Sequence, residues 1–138
     1  MQEFYSTIDG RLLHVVNRKE DISSKRVDIC PNDKYLQVSC FSLPKEKTFK
    51  PHKHIPLERS TDITQESWVV IQGKIKAILY DLDDTILEEV VLNRGDCSIT
   101  FEGGHNYESL EDDTLVYEYK TGPYFGQKKD KVVIENDR

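Results

Sequence analysis

Positive charge is the first thing this chain is short of. Its 138 residues hold 19 Lys and Arg against 25 Asp and Glu, a formal charge of −6. It therefore lacks the broad positive field that draws nucleic acid or an anionic membrane surface. Long apolar runs are missing as well. Trp68-Val69-Val70-Ile71 and Ala77-Ile78-Leu79-Tyr80 are the longest, far below the roughly 20 residues that span a bilayer. Cysteine is scarce and odd in number: Cys30, Cys40 and Cys97, with no CxxC spacing. That excludes a disulfide framework or a Cys-type zinc site as the expectation and makes a reducing cytoplasm the expected location. The opening Met1-Gln2-Glu3-Phe4-Tyr5 has no basic region followed by an apolar stretch, so no secretory signal is expected. There is no Pro/Gly/Ser-rich linker, no repeat of 20–50 residues and no convincing helical stripe. A chain of this size then predicts one domain around one core.

What the sequence does have is aromatics and alternation. Seven Tyr, five Phe and one Trp supply enough large side chains for a core, against the composition of a disordered chain. The dominant period is two. Tyr35 to Ser42 puts Leu36, Val38 and Cys40 on one face and Gln37 and Ser39 on the other. Glu66 introduces Ser67 to Gln72, and Lys74 to Tyr80, Ile86 to Leu92, Cys97 to Phe101 and Thr114 to Lys120 are further β-rich runs. Turn formers separate them: Gln72-Gly73, Asp81 to Asp84, Asn93-Arg94-Gly95-Asp96, Gly103-Gly104 and Glu111-Asp112-Asp113. Leu12 to Val16 is open to either strand or helix, and Val132-Val133-Ile134 predicts a last short strand after an irregular Thr121 to Lys131. Short strands between polar turns predict an all-β sandwich or barrel.

Three of the four histidines fall into a pattern. His52 and His54 are two apart, which on an extended strand points both imidazoles to one side. Glu66 stands at the head of a strong strand ending in Gly73, and His105 follows Gly103-Gly104. Alone, an HxH pair in an acidic protein reads as two surface imidazoles. A carboxylate and a third imidazole in matching β contexts make a set suited to a divalent transition metal, with positions left open for substrate or water. Iron, nickel, zinc, manganese and copper all fit such donors. His14 has no partner in sequence and reads as a surface or core-edge residue.

These residues resemble the cupin family. His52-x-His54, then Glu66 followed by six residues and Gly73, resembles the first cupin motif; Gly95 to His105 resembles the second. The likeness runs from about Pro51 to Tyr119. Eleven residues separate His54 from Glu66, more than the family's usual three or four, so Glu58 and Gln65 compete with Glu66. Phe101 stands at the usual proline position, and one residue is missing before His105. The resemblance implies a single all-β domain, a cupin-type jelly-roll β-barrel. Its core would span residues 49–120, with N-terminal strands over 1–42 forming a dimer arm and a C-terminal extension over 121–138. It implies metal ligands at His52, His54, Glu66 and His105 and a small metalloenzyme of isomerase, epimerase, lyase or oxygenase type. The implied substrate is a sugar-derived or small carbonyl or carboxylate compound, because the chain is similar to cupins found with surface-polysaccharide and nucleotide-sugar enzymes. A non-catalytic metal- or sugar-binding cupin is the alternative.

Around that centre, Tyr107 shares the face of His105 on an extended segment, and Leu115, Tyr117 and Tyr119 share one face of the last long strand. Tyr107, Tyr117 and Glu58 are the candidate catalytic residues, with barrel or dimer packing as the competing role for Tyr117 and Tyr119. Lys50, Glu58 and Arg59 are candidates for ligand recognition. A second resemblance competes. Tyr80-Asp81-Leu82-Asp83-Asp84-Thr85 resembles the first motif of haloacid-dehalogenase phosphatases, with Asp81 as nucleophile and Asp83 as acid/base. That motif needs a doubly wound α/β domain downstream, whereas the residues after Thr85 read as hairpins. The plainer reading is an acidic hairpin turn.

Overall fold

The computed structural model describes residues 1–135; the last three residues of the expected 121–138 extension lie outside them. The strands run in order β1 (Gln2–Tyr5), β2 (Leu12–Asn17), β3 (Val27–Asp28), β4 (Ser39–Cys40), β5 (Glu66–Gln72), β6 (Lys74–Tyr80), β7 (Ile86–Asn93), β8 (Cys97–Thr100), β9 (His105–Ser109) and β10 (Leu115–Lys120). One helical turn, α1 (Gln127–Asp130), follows. Among the described residues the chain is all-β, as its alternation predicts.

Every pairing is antiparallel. Sheet 1 has the order β1-β2-β8-β5-β10, sheet 2 the order β7-β6-β9, and β3 pairs only with β4. The chain crosses between the two large sheets at β5–β6, β7–β8, β8–β9 and β9–β10, whereas β1–β2 and β6–β7 each pair within one sheet. The main core fills the space between them. Val16 and Val70 from sheet 1 meet Ile75, Ala77, Leu79, Val90 and Leu92 from sheet 2, with Trp68 and Tyr107 against them. A second cluster sits on the other face of sheet 1, where Val15, Cys97, Ile99 and Phe101 are covered by Ile29, Cys30, Leu36, Val38 and Cys40. Sheet 1 is thus buried on both faces. That is why β2 shows near-continuous burial along Leu13-His14-Val15-Val16-Asn17 instead of alternation. Each such aliphatic or aromatic side chain contributes roughly 1.5–3 kcal/mol on burial.

Gly73 makes the β5–β6 turn possible. Its φ is +75°, and a Cβ there would meet the backbone of Thr114, with that residue's Cα at 2.9 Å; a side chain would be strained and obstructed.

Three expectations change. Only Ser39–Cys40 of the predicted Tyr35 to Ser42 strand is paired, although Leu36, Val38 and Cys40 do face the core as the alternation says. Val132-Val133-Ile134 forms no strand. His14, expected at the surface or the core edge, is fully buried, because β2 is the second strand from one edge of a sheet covered on both sides.

Candidate functional site

Glu66 opens β5 in sheet 1 and His105 opens β9 in sheet 2. Glu66 pairs with Thr100, the end of β8, and His105 pairs with Leu79 near the end of β6. The same end of the two sheets therefore carries both groups, and His105 Nε2 lies 3.2 Å from Glu66 Oε1. The same carboxylate oxygen accepts from Trp68 Nε1 at 2.8 Å. Burial by itself disfavours the charged carboxylate. The His105 hydrogen bond and charge, the Trp68 N–H and the field of Lys131 outweigh it, so Glu66 sits below its ordinary value. An ionised Glu66 can only accept, which places a proton on His105 Nε2. His105 Nδ1 is buried and has no hydrogen-bond partner among the described residues.

A cavity of about 480 Å³ opens over this pair. Glu66, Tyr80, Gly104, His105 and Asn106 line its floor and sides, and Lys131 with Ile134 closes it from the tail. The size falls in the range of small-molecule sites. A hydrogen bond from Thr64 to Asp130 fixes the tail against the start of β5. The sequence reading missed this part of the site. Lys128-Lys129-Asp130-Lys131 looks like a solvated run, and only the placement of Asp130 next to Thr64 turns Lys131 toward Glu66.

Tyr107 does share the His105 face, at 5.5 Å between ring centroids. Its ring stacks on Trp68 and its hydroxyl pairs with Ser98 Oγ at 2.8 Å. Burial pushes the phenol above its ordinary value. Both its face and its hydroxyl are engaged in packing.

The other expected ligands are elsewhere. His52 and His54 lie in residues 41–63, which form no strand and are exposed throughout; the two rings are 5.8 Å apart at their centroids, and His52 Nδ1 bonds to its own Lys50 carbonyl. Among the described residues no three His, Cys, Asp or Glu side chains are gathered to hold a metal ion. One chain thus brings together Glu66 and His105 but not all four expected donors, and it does not fit a metal ion by itself. Lys50, Glu58 and Arg59 are in the same exposed segment. Gln65 is buried and its side-chain oxygen accepts Leu36 N at 2.9 Å, a structural use. Tyr117 and Tyr119 are more than half exposed on β10, with their rings 6.1 Å apart.

Two buried polar groups flank the site. His14 Nε2 lies 2.9 Å from Tyr80 O, and Nδ1 lies 2.9 Å from Thr100 Oγ1. A carbonyl only accepts, so Nε2 carries the proton and Thr100 donates to Nδ1. Asp81 accepts from Ser6 Oγ at 2.6 Å, Thr7 N and Oγ1 at 2.8 Å and Leu82 N at 2.7 Å. These hydrogen bonds, led by that of Ser6, hold its carboxyl well below the usual carboxylate range against the opposing effect of burial. Asp83 accepts from Thr85 N and Oγ1. Together they form the turn between β6 and β7. No protein-family model matches the chain, and neither a curated protein nor a solved structure shows significant similarity to it.

Proposed function

We propose that this chain is a cupin-type jelly roll that binds a small polar molecule against the Glu66–His105 pair, with a sugar-derived or small carbonyl or carboxylate compound as the substrate class. The four crossings of the chain between two antiparallel sheets, from β5 to β10, support the fold reading. The observation that carries the function is the meeting of a carboxylate and an imidazole from different sheets under a cavity of about 480 Å³.

The pair has a defined proton inventory. Glu66 is held ionised and His105 donates through Nε2, which leaves the second imidazole nitrogen without a partner among the described residues. Lys131 at the cavity wall offers a cation for a carboxylate or phosphate group, and Asn106 offers an amide for hydroxyls. That division suits a ligand with one anionic end and a polyhydroxylated or carbonyl-bearing body. Proton abstraction next to a carbonyl is the chemistry such a carboxylate–imidazole pair supports.

A panel of sugar nucleotides, sugar acids and keto acids tests this by thermal shift and calorimetry, followed by product analysis. At least one class should raise the melting temperature of the native protein, and Glu66→Gln and His105→Gln should weaken its binding at least tenfold. Equal binding by native protein and both variants would overturn the site.

A further inference from the structure

Residues 41–63 are exposed without exception, yet Phe41, Leu43, Phe49, Ile55, Leu57 and Ile63 are among them. Ile55 is 82% exposed and Leu57 67%. Large apolar side chains gathered in water mark an interaction surface. Among the described residues, 43–63 make hydrogen bonds only within their own segment, such as Lys47 N to Pro44 O. This arm therefore stands away from the body of its own chain.

A bare apolar face lies elsewhere on the chain. Val116 packs into the core between the sheets, so alternation turns Leu115, Tyr117 and Tyr119 to the outer face of sheet 1. Tyr117 pairs with Val69, and Val69 belongs to the outer cluster that Ile29, Cys30, Leu36, Val38 and Cys40 cover. The cover thus reaches β5 and stops one strand short. On β10, Leu115, Tyr117 and Tyr119 are each half or more exposed. The backbone edge of β10 is open as well. Thr121 N bonds Gln65 O, which leaves the groups of Val116, Glu118 and Lys120 facing away from β5.

We propose that a second copy of this chain lays its arm, residues 41–63, over the outer face of β10, seating Ile55 and Leu57 on Tyr117 and Tyr119 and completing the cover of sheet 1. Charge favours that occupant. The arm carries five Lys and Arg against three Asp and Glu, whereas residues 108–119 carry five Asp and Glu and no Lys or Arg. Opposite signs draw the arm to the β9–β10 hairpin on a chain whose net −6 otherwise repels its own kind. Pro44, Pro51 and Pro56 keep the arm extended, which lowers the entropy lost when it docks. Exposed tyrosines suit the receiving side, since each buries a large ring while only two torsions are frozen. Because every copy holds one arm and one face, a two-fold exchange uses both and closes.

The test uses full-length protein alone. Sedimentation of native protein should show a dimer whose dissociation constant rises with added sodium chloride. Ile55→Asp/Leu57→Asp in the arm and Tyr117→Ser/Tyr119→Ser on the face should each raise that constant at least tenfold. A mixture of the two variants restores one arm and one face, and should associate more tightly than either variant alone. Carbodiimide cross-linking reads the contact on native protein, with ordinary and isotope-labelled copies exchanged at high dilution. Lysines of residues 45–53 should join carboxylates of residues 108–119 in mixed-isotope pairs. Same-isotope pairs alone would show the arm closing on its own chain and overturn the inference. So would a native monomer, or a dimer that both double variants leave intact.

Discussion

Trp68 and Tyr107 stack at 4.0 Å with their planes 16° apart, one from β5 and the other from β9, and so join the two sheets beside the candidate site. Trp68 has a second attachment through its N–H on Glu66, and Tyr107 has one through Ser98. Glu66 and His105 therefore cannot separate without opening an aromatic contact and breaking a charge-assisted hydrogen bond. Trp68→Leu removes a stack worth about 0.5–1.5 kcal/mol and a bond to a charged group worth about 1.5–3 kcal/mol. Urea unfolding should show a loss of about 2–4 kcal/mol. Tyr107→Phe keeps the stack and leaves Ser98 without its partner. It should cost about 1 kcal/mol and preserve ligand binding; loss of turnover with binding intact would instead give the hydroxyl a chemical role.

His14 predicts a pH dependence. Burial lowers its pKa to about 4, against the opposing hydrogen bond to the Tyr80 carbonyl, with His105 lowering it further and Asp81 raising it. The unfolded chain takes up a proton near the ordinary value of 6.5, while the folded chain resists. Stability from this group is therefore complete above about pH 6.5 and is lost as pH falls toward 4, by up to ~3 kcal/mol. The Asp81 contribution, from a depressed carboxyl, disappears only at lower pH. Urea midpoints measured between pH 7 and pH 4 should fall for the native protein and change less for His14→Gln. Parallel slopes would assign the acid sensitivity elsewhere.

The strands were legible where alternation and turn chemistry agreed. β6 and β7 follow from Lys74 to Tyr80, the Asp81 turn and Ile86 to Leu92: β7 keeps one exposed face, whereas β6 alternates only over its first residues and is buried from Ala77 to Tyr80. The eight residues from Tyr35 were harder. Their alternation reports the face they bury on sheet 1, not strand pairing, and a covering loop leaves the same pattern. A related reason hides the burial of His14: a histidine in a run buried on both faces looks like a polar interruption until Tyr80 O and Thr100 Oγ1 are seen to satisfy it. Glu66 and His105 could be paired from their positions at strand starts. The places of His52 and His54 could not, since the i, i+2 spacing fixes a shared side only once a strand exists.

Gly104 tests how the tail closes the cavity. A Cβ there would overlap the Ile134 side chain and come within 3.2 Å of Tyr80 Cβ. The side-chain end of Ile134 can move at little cost, whereas the Tyr80 contact can be absorbed by a small shift. Gly104→Ala should then displace the tail and leave the sheets folded, with a stability change of about 1 kcal/mol. Limited proteolysis should cut within residues 128–134 several-fold faster than in the native protein. Unchanged cleavage would show that Ile134 does not hold the tail in place.

Asp81 separates a structural from a chemical reading of one acidic turn. Four donors from Ser6, Thr7 and Leu82 converge on its carboxylate, and the group is 1% exposed. The bonds tie the β1–β2 turn to the β6–β7 turn, so they act across 75 residues of sequence. Asp81→Asn keeps the shape but replaces one acceptor oxygen with an N–H₂ group facing donors. That substitution should cost about 3 kcal/mol, read from urea unfolding at pH 7. A phosphatase nucleophile would behave oppositely, with hydrolysis lost and stability retained. Native protein is expected to leave p-nitrophenyl phosphate intact with magnesium present, since the oxygens that such an attack requires are occupied by the turn they hold together.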